Sequence, residues 1–392
     1  MEVILSLDKV VDYLKKHKVC PLDFQPAVPV ARKEGTNFNL VVRSADSHDF
    51  LVKQNRVASD GRAFSSLAAE WLVQELINNF SSLAEIQSLV SKVVLFDRPN
   101  GILVSIFYDD YISLDRLYQT RMSFDSRIAR IMGMNLAIIH SASYQQQQQR
   151  EFLAQHIRFD KAARQPGFVQ RLNNLNPSIF AKVCPDGMAF YKLYQRFPSF
   201  EQAVIELYEQ IEPACLIHND LTLDNFILDS QLDLDSDSIQ IRAEQLKIID
   251  WERITWGDPA VDLGMVVSEY VGGIWLGNLI ADNCLDINTM LNLAIFPLEI
   301  ITPSLKAFLQ GYLAQFPQIV SYRPDFLRRV VQFTGIGILN RLSYYVEHHY
   351  PFHNNSLCKL QVAKNLLCYP QQGIETIFGA TEAELIGCSQ TA

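Results

Sequence analysis

The segment 216–228, LIHNDLTLDNFIL, constrains this chain more than any other. It sets one His, two Asp and two Asn within eight positions, between apolar runs on both sides. Polar groups this dense beside buried strand cost free energy unless they bind something. FIL (226–228) reads as a strand, LKIID (246–250) as a second strand ending in Asp250, and GDPAVDLG (257–264) follows. A strand–loop–strand hairpin brings Asn225 and Asp250 to the same end. Two oxygen ligands side by side suit Mg²⁺, which takes few protein ligands and leaves room for water and phosphate. Asp220 is then placed to act as a base on a hydroxyl. Phosphoryl transfer needs such a set: a metal clamp, an oriented nucleophile and little covalent chemistry from the protein. The plainer alternative is an inert polar turn that bridges two strands.

The 392 residues are 48% hydrophobic, ample for one large domain or two lobes. A net charge of −9 makes a nucleic-acid surface an unexpected feature, so no nucleic-acid partner is expected. Cysteines stand at 20, 184, 215, 284, 358, 368 and 388, an odd number without a CxxC. They signal neither a disulfide framework nor a zinc site and read as reduced core thiols of a cytoplasmic protein. The start MEVILSLDKVVDYLKKH carries Glu2 and Asp8 and does not read as a signal peptide. No apolar run reaches about 18 residues, so no membrane span is expected.

Residues 6–17 read as a short amphipathic helix. FNLVVRS (38–44) and DFLVKQ (49–54) read as two strands joined by ADSH. From Asp60 a helix is expected, with Phe64, Leu67, Ala68, Trp71, Leu72 and Leu76 at helical spacing. KVVLF (92–96) and GILVSIF (101–107) form a hairpin around DRPN. SRIARIMGMNLAIIHSASY (126–144) is a helix ended by the glutamine run 145–149, and 261–378 is mostly helical pattern. A strand-rich N-terminal part thus precedes a helix-rich C-terminal part.

HNDLTLDN, IIDWE and GDPAVDLG, in that order, resemble the aminoglycoside phosphotransferase and choline kinase superfamily, which shares the protein-kinase-like fold. The family pattern is His-Gly-Asp with Asn five residues after the Asp; Asn219 stands here where Gly is usual. The resemblance implies an α+β, bilobal protein-kinase-like fold. Residues 1–108 would form a nucleotide-binding lobe and 109–392 a mainly helical catalytic and substrate-binding lobe. It implies ATP and Mg²⁺ as cofactors, Asp220 as base, His218 as support of its loop, and Asn225 and Asp250 as metal ligands. EGTNFNLVV (34–42) is similar to the family's nucleotide-covering turn, with Gly35 and Asn37 at its head. Lys53 falls where the family keeps a lysine on the ATP phosphates. Its glutamate partner is Glu70, 17 residues on, with Glu75 in reserve. LVSIFYDDYISL (103–114) resembles the hinge, with Ile106 and Tyr108 as nucleotide contacts. The resemblance covers roughly 34–270.

Each residue also has a plainer reading. An exposed strand lysine is ordinary, and His140 is assigned nothing. Glu252 is expected to pair with a cation, and Asp262 to hold the catalytic-loop backbone. DLDSDSIQIRAE (233–244) has the acidic spacing of an EF-hand loop, but Ser238 replaces the required Gly. It reads as a solvated tip. EHHYPFH (347–353) is interrupted by Pro351 and does not read as a metal site. Three acceptor readings stay open: a hydroxyl of a small, cationic metabolite or aminoglycoside-like molecule, a Ser or Thr of a peptide, or none in a pseudokinase. Glu269, Glu299 and Glu347 are the carboxylates considered for a cation.

Overall fold

A computed structural model describes residues 4–35, 37–45, 48–56, 67–156, 167–173, 183, 185–236, 238–279, 287–348 and 352–387. The chain divides into two compact units. The first is Met1–Gln119, Glu151–Leu153 and Asp224–Ile254; the second is Thr120–Arg150, Ala154–Leu223 and Thr255–Ala392.

The first unit is built on an antiparallel sheet of β1 (Ala31–Lys33), β2 (Phe38–Val42), β3 (Asp49–Gln54), β4 (Val93–Asp97) and β5 (Ile102–Phe107), in the order β1-β2-β3-β5-β4. The two-residue period of the strands sorts the faces. Leu40, Val42, Phe50, Val52, Ile102 and Val104 pack on one face against Leu5, Val10, Tyr13, Leu14, Cys20 and Phe24. The segment before Gly35 therefore covers the back of the sheet, and Tyr13 ties it to the β4 end by donating to Asp97 at 2.9 Å. Residues between those core positions face the other way. Leu103 there joins Leu67, Val93, Trp71 and Phe96 beneath the Leu67–Asn79 helix. The sequence pattern starts that helix at Asp60; residues 57–66, Phe64 included, lie outside the described residues.

The expected strands 38–44 and 49–54 are β2 and β3, and the hairpin around DRPN is β4–β5. β1 is an addition that periodicity does not signal, because all three of its residues are exposed. A second sheet in this unit, β6 (Tyr111–Ser113), β8 (Phe226–Asp229) and β9 (Leu246–Ile248), has the order β6-β8-β9. Asp233, Asp235 and Glu244 are exposed between β8 and β9, in keeping with a solvated tip; Asp237 lies outside the described residues.

The second unit is mainly helical, with one short antiparallel pair, β7 (Cys215–Ile217) and β10 (Thr255–Gly257). Its Ser126–Ser143 helix starts on an Asp125 cap, whose carboxylate accepts the Arg127 N–H. This helix crosses Leu298–Gln315 at close range. A Cβ on Gly133 would stand 1.9 Å from the Phe308 carbonyl oxygen, and one on Gly311 2.2 Å from that of Arg130. Glycine at both places is what lets the two backbones meet. The glutamine run does more than end a helix: Gln145 turns at φ +55°, and Gln147 begins the next helix, Gln147–Ala154. Cys20, Cys215 and Cys358 are buried free thiols and Cys368 a half-buried one; Cys184, Cys284 and Cys388, like Pro351, lie outside the described residues. No described helix is long and apolar enough to cross a membrane.

Candidate active site

The inner face of the five-stranded sheet opens on a cavity of about 770 Å³ within the first unit. That size holds a small-molecule ligand. Strand register sets its floor: Lys33, Asn39 and Lys53 stand in one row across β1, β2 and β3. Lys53 is 7% exposed, and its Nζ donates to Glu70 Oε2 at 2.8 Å and to Asp250 Oδ1 at 2.6 Å. Burial by itself would push the ammonium pKa down. The two carboxylates outweigh it and hold the group above the ordinary lysine value, so it stays charged. Glu70 is the partner, not Glu75. Glu70 shares a buried face with Val73, Gln74 and Ile77 at helical spacing, whereas Glu75 points to a half-exposed side.

Asn225 and Asp250 meet as the hairpin argument requires. β8 and β9 pair Phe226 with Ile248, and the next backbone bond, Ile249 N–H to Asn225 C=O at 2.9 Å, sets Asn225 beside the Asp250 end. Asp250 has φ +67°, a left-handed backbone that aspartate and asparagine adopt more readily than other side chains, and its side chain is 40% exposed. One of its oxygens holds Lys53 while the group as a whole stays open to the cavity. Gly35 and Asn37 lie in the β1–β2 turn on the cavity wall. A Cβ on Gly35 would reach 2.5 Å from the Asn39 amide nitrogen, so glycine leaves that side chain its place. Asn37 donates to Glu252 at 3.4 Å.

Ile106 and Tyr108 line the same cavity. The Ile106 N–H already donates to the Lys92 carbonyl at 2.9 Å, so it is not offered to a ligand. Two buried oxygens among the cavity-lining residues, Asn39 Oδ1 and Ser91 Oγ, have no hydrogen-bond partner among the described residues. Buried polar atoms in native proteins are nearly always paired, so these two mark a place for ligand or water. Among the described residues no three His, Cys, Asp or Glu side chains converge as a metal cluster. The oxygen pair of Asn225 and Asp250 is nonetheless the donor type that a hard cation takes.

His218 and Asp220 belong to the second unit, in the loop after β7. Asp262 organises that loop: its two oxygens accept the backbone N–H of His218 and of Asn219, each at 2.8 Å. The Pro259–Ser268 helix that carries Asp262 is started by the Asp258 cap and Pro259, which is how GDPAVDLG places it. His140, to which the sequence assigns no role, is fully buried between Asp262, 3.2 Å from Nε2, and the Tyr312 hydroxyl, 3.0 Å from Nδ1. Its one signal is position: it lies on the apolar face of its helix, four residues after Leu136. Asn219 has φ +63°. The family pattern has Gly at this position, and Asn is among the side chains that tolerate the conformation best. Asn219→Ala is expected to cost about 1 kcal/mol relative to Asn219→Gly in urea unfolding; equal stabilities would show that the loop relaxes.

The acidic residues considered for a cation are largely taken. Glu269 is ion-paired with Arg341, and Glu347 accepts Arg171 Nε at 2.8 Å and the Ser343 hydroxyl at 3.0 Å. Glu299 is exposed.

Known proteins are similar in sequence over part of the chain and in fold. Residues 108–291 match the phosphotransferase enzyme family. Among solved structures, a choline kinase from Streptococcus pneumoniae aligns at TM-score 0.52 and 16% identity, over 92% of this chain and 98% of that one. A Plasmodium vivax ethanolamine kinase aligns at TM-score 0.54 and 15% identity, over 92% and 90%. A choline/ethanolamine kinase family protein from Mesorhizobium loti aligns at TM-score 0.50 and 16% identity, over 98% and 99%. The fold is thus the protein-kinase-like one. No curated protein matches the sequence.

Proposed function

We propose that the chain is a phosphotransferase of the aminoglycoside phosphotransferase and choline kinase superfamily, and that it moves the γ-phosphate of ATP to a hydroxyl of a small metabolite. Residues 1–108 serve as the nucleotide-binding lobe and 109–392 as the catalytic and acceptor-binding lobe. The observation that carries this reading is the Lys53 ammonium held between Glu70 and Asp250 at the wall of a ligand-sized cavity.

Lys53 contacts the nucleotide phosphates, and Glu70 aims it. Gly35 and Asn37 cover the phosphates from the β1–β2 turn. Ile106 and Tyr108 flank the base. Asn225 and Asp250 hold Mg²⁺, which when bound neutralises charge on the transferring phosphoryl group. Asp220 accepts the proton of the acceptor hydroxyl at its carboxylate, and His218 supports the loop. Asp262 keeps that loop in place, so the base costs little reorganisation when the acceptor arrives. The similar folds of a choline kinase and an ethanolamine kinase favour a small hydroxyl-bearing acceptor.

ATP is expected to raise the melting temperature strongly with Mg²⁺ and weakly without it. A shift independent of Mg²⁺ would remove Asn225 and Asp250 as metal ligands. ADP release above the ATPase background, with amino alcohols, aminoglycosides, hydroxy acids and Ser/Thr peptides as acceptors, tests the transfer. Turnover on peptides alone would replace the small-molecule reading.

A further inference from the structure

The two oxygens of the first unit's cavity that make no hydrogen bond among the described residues, Asn39 Oδ1 and Ser91 Oγ, stand in different rows of the sheet. Asn39 is opposite Lys53, where the proposed phosphates lie. Ser91 is two residues before β4. Leu51 and Val93 are both opposite Ser105, one row on from Lys53, and the two-residue period carries the same face on to Ser91. Counted along the strands, Ser91 is roughly 13 Å from the Lys53 row. A nucleotide fills such a span from its phosphates to the far edge of its base. The segment is fixed from both sides: the Ile248 N–H donates to the Leu89 carbonyl at 2.7 Å, and the Ile106 N–H to the Lys92 carbonyl at 2.9 Å. The Lys92 N–H donates to the Tyr108 hydroxyl at 3.4 Å, so Ser91 belongs to the Ile106 and Tyr108 end of the cavity.

Ser91 is 9% exposed, and an unpaired buried hydroxyl costs free energy until something in the cavity bonds to it. With phosphates at Lys53 and the sugar between, the group that arrives at Ser91 is the base edge farthest from the sugar. In adenine that edge carries the N6 amino donor, in guanine the O6 acceptor. A fixed backbone N–H or C=O suits one of the two and opposes the other. Backbone groups on this wall are already engaged: the Ile106 N–H by Lys92, and the Tyr108 carbonyl by the Tyr111 N–H at 3.3 Å. A serine hydroxyl accepts from N6 or, turned about its C–O bond, donates to O6. We infer that Ser91 reads the base edge, and that the site takes guanine as well as adenine nucleotides, so that GTP serves beside ATP as phosphate donor. This inference rests on the proposed reading of the cavity as a nucleotide site.

The test is isothermal titration of the full chain, wild type and Ser91→Ala, with ADP, GDP and purine riboside diphosphate in the presence of Mg²⁺. The third ligand carries only hydrogen where adenine has N6 and guanine O6. The wild type is expected to bind ADP and GDP within about fivefold of one another. Ser91→Ala is expected to weaken both by about three- to tenfold, the worth of one hydrogen bond, and to leave purine riboside diphosphate within about twofold. Without nucleotide the variant should melt at or above the wild type, since it removes an unpaired buried hydroxyl; weakened binding is then not a loss of folding. Discrimination against GDP by about fiftyfold or more in the wild type would overturn the inference, because a site that pairs with both edges cannot produce it. Equal affinity of wild type and Ser91→Ala for ADP would overturn it as well. So would an equal loss on all three ligands, which would make Ser91 part of the wall and not a reader of the base. GTP should also replace ATP with any acceptor that turns over, read as GDP release; no release would remove it as a donor. If none of the three ligands binds, the nucleotide reading of the cavity falls and the proposed function with it. Binding of ADP without an effect of Ser91→Ala sinks the present inference alone.

Discussion

Asp220→Asn is expected to lower phosphate transfer by about 10²–10⁴-fold, the usual contribution of a general base, and to leave the affinity for ATP within a factor of about two. The change keeps the size of the side chain and removes only its ability to take a proton. The loop should hold its shape, because Asp262 fixes its backbone through the N–H groups of His218 and Asn219. Single-turnover transfer and equilibrium nucleotide binding, measured on the same preparation, separate the two effects. Loss of ATP binding along with transfer would make Asp220 a structural or metal-holding residue.

Lys53→Met is expected to cost both activity and stability, the latter by about 3–5 kcal/mol, the range for breaking a buried ion pair from one side. Glu70 is 3% exposed, and without the ammonium its carboxylate stays buried with no cation from Lys53 to neutralise it. Asp250 is 40% exposed on its side chain and suffers less, since water reaches it. Adding Glu70→Gln to Lys53→Met should therefore recover much of the lost stability in urea unfolding without recovering transfer. Glu75→Gln should change neither. A double variant no more stable than Lys53→Met alone would show that the Glu70 charge is not what the lysine neutralises.

Several of these residues are legible in the sequence itself. Lys53 and Glu70 are 17 positions apart on adjoining elements, and strand and helix periodicity point both inward. Asn225 and Asp250 stand at adjoining ends of two consecutive strands, so a hairpin forces them together. Asp262 sits in a helix-start motif whose cap and proline are local signals. In each case the deciding information lies within one or two elements. Asn219 shows how a local backbone requirement can be met by a second residue type: its position needs a left-handed conformation, and a short amide side chain tolerates it.

Other features needed the tertiary structure. β1 is three exposed residues, and only its pairing with β2 makes it a strand. His140 meets Tyr312, 172 residues away, and neither has a periodic signal apart from burial. Glu269 and Glu347 look from the sequence like free carboxylates for a cation, but arginines from distant helices claim them. Glu252 accepts a hydrogen bond from Asn37, 215 residues earlier. The sequence alone determined which residues could carry the chemistry, because periodicity, caps and turns act over a few residues. Which charges are neutralised, and by which distant partners, was decided only by tertiary structure. Pairing energy depends on distance through space, and that distance has no local signature in the chain.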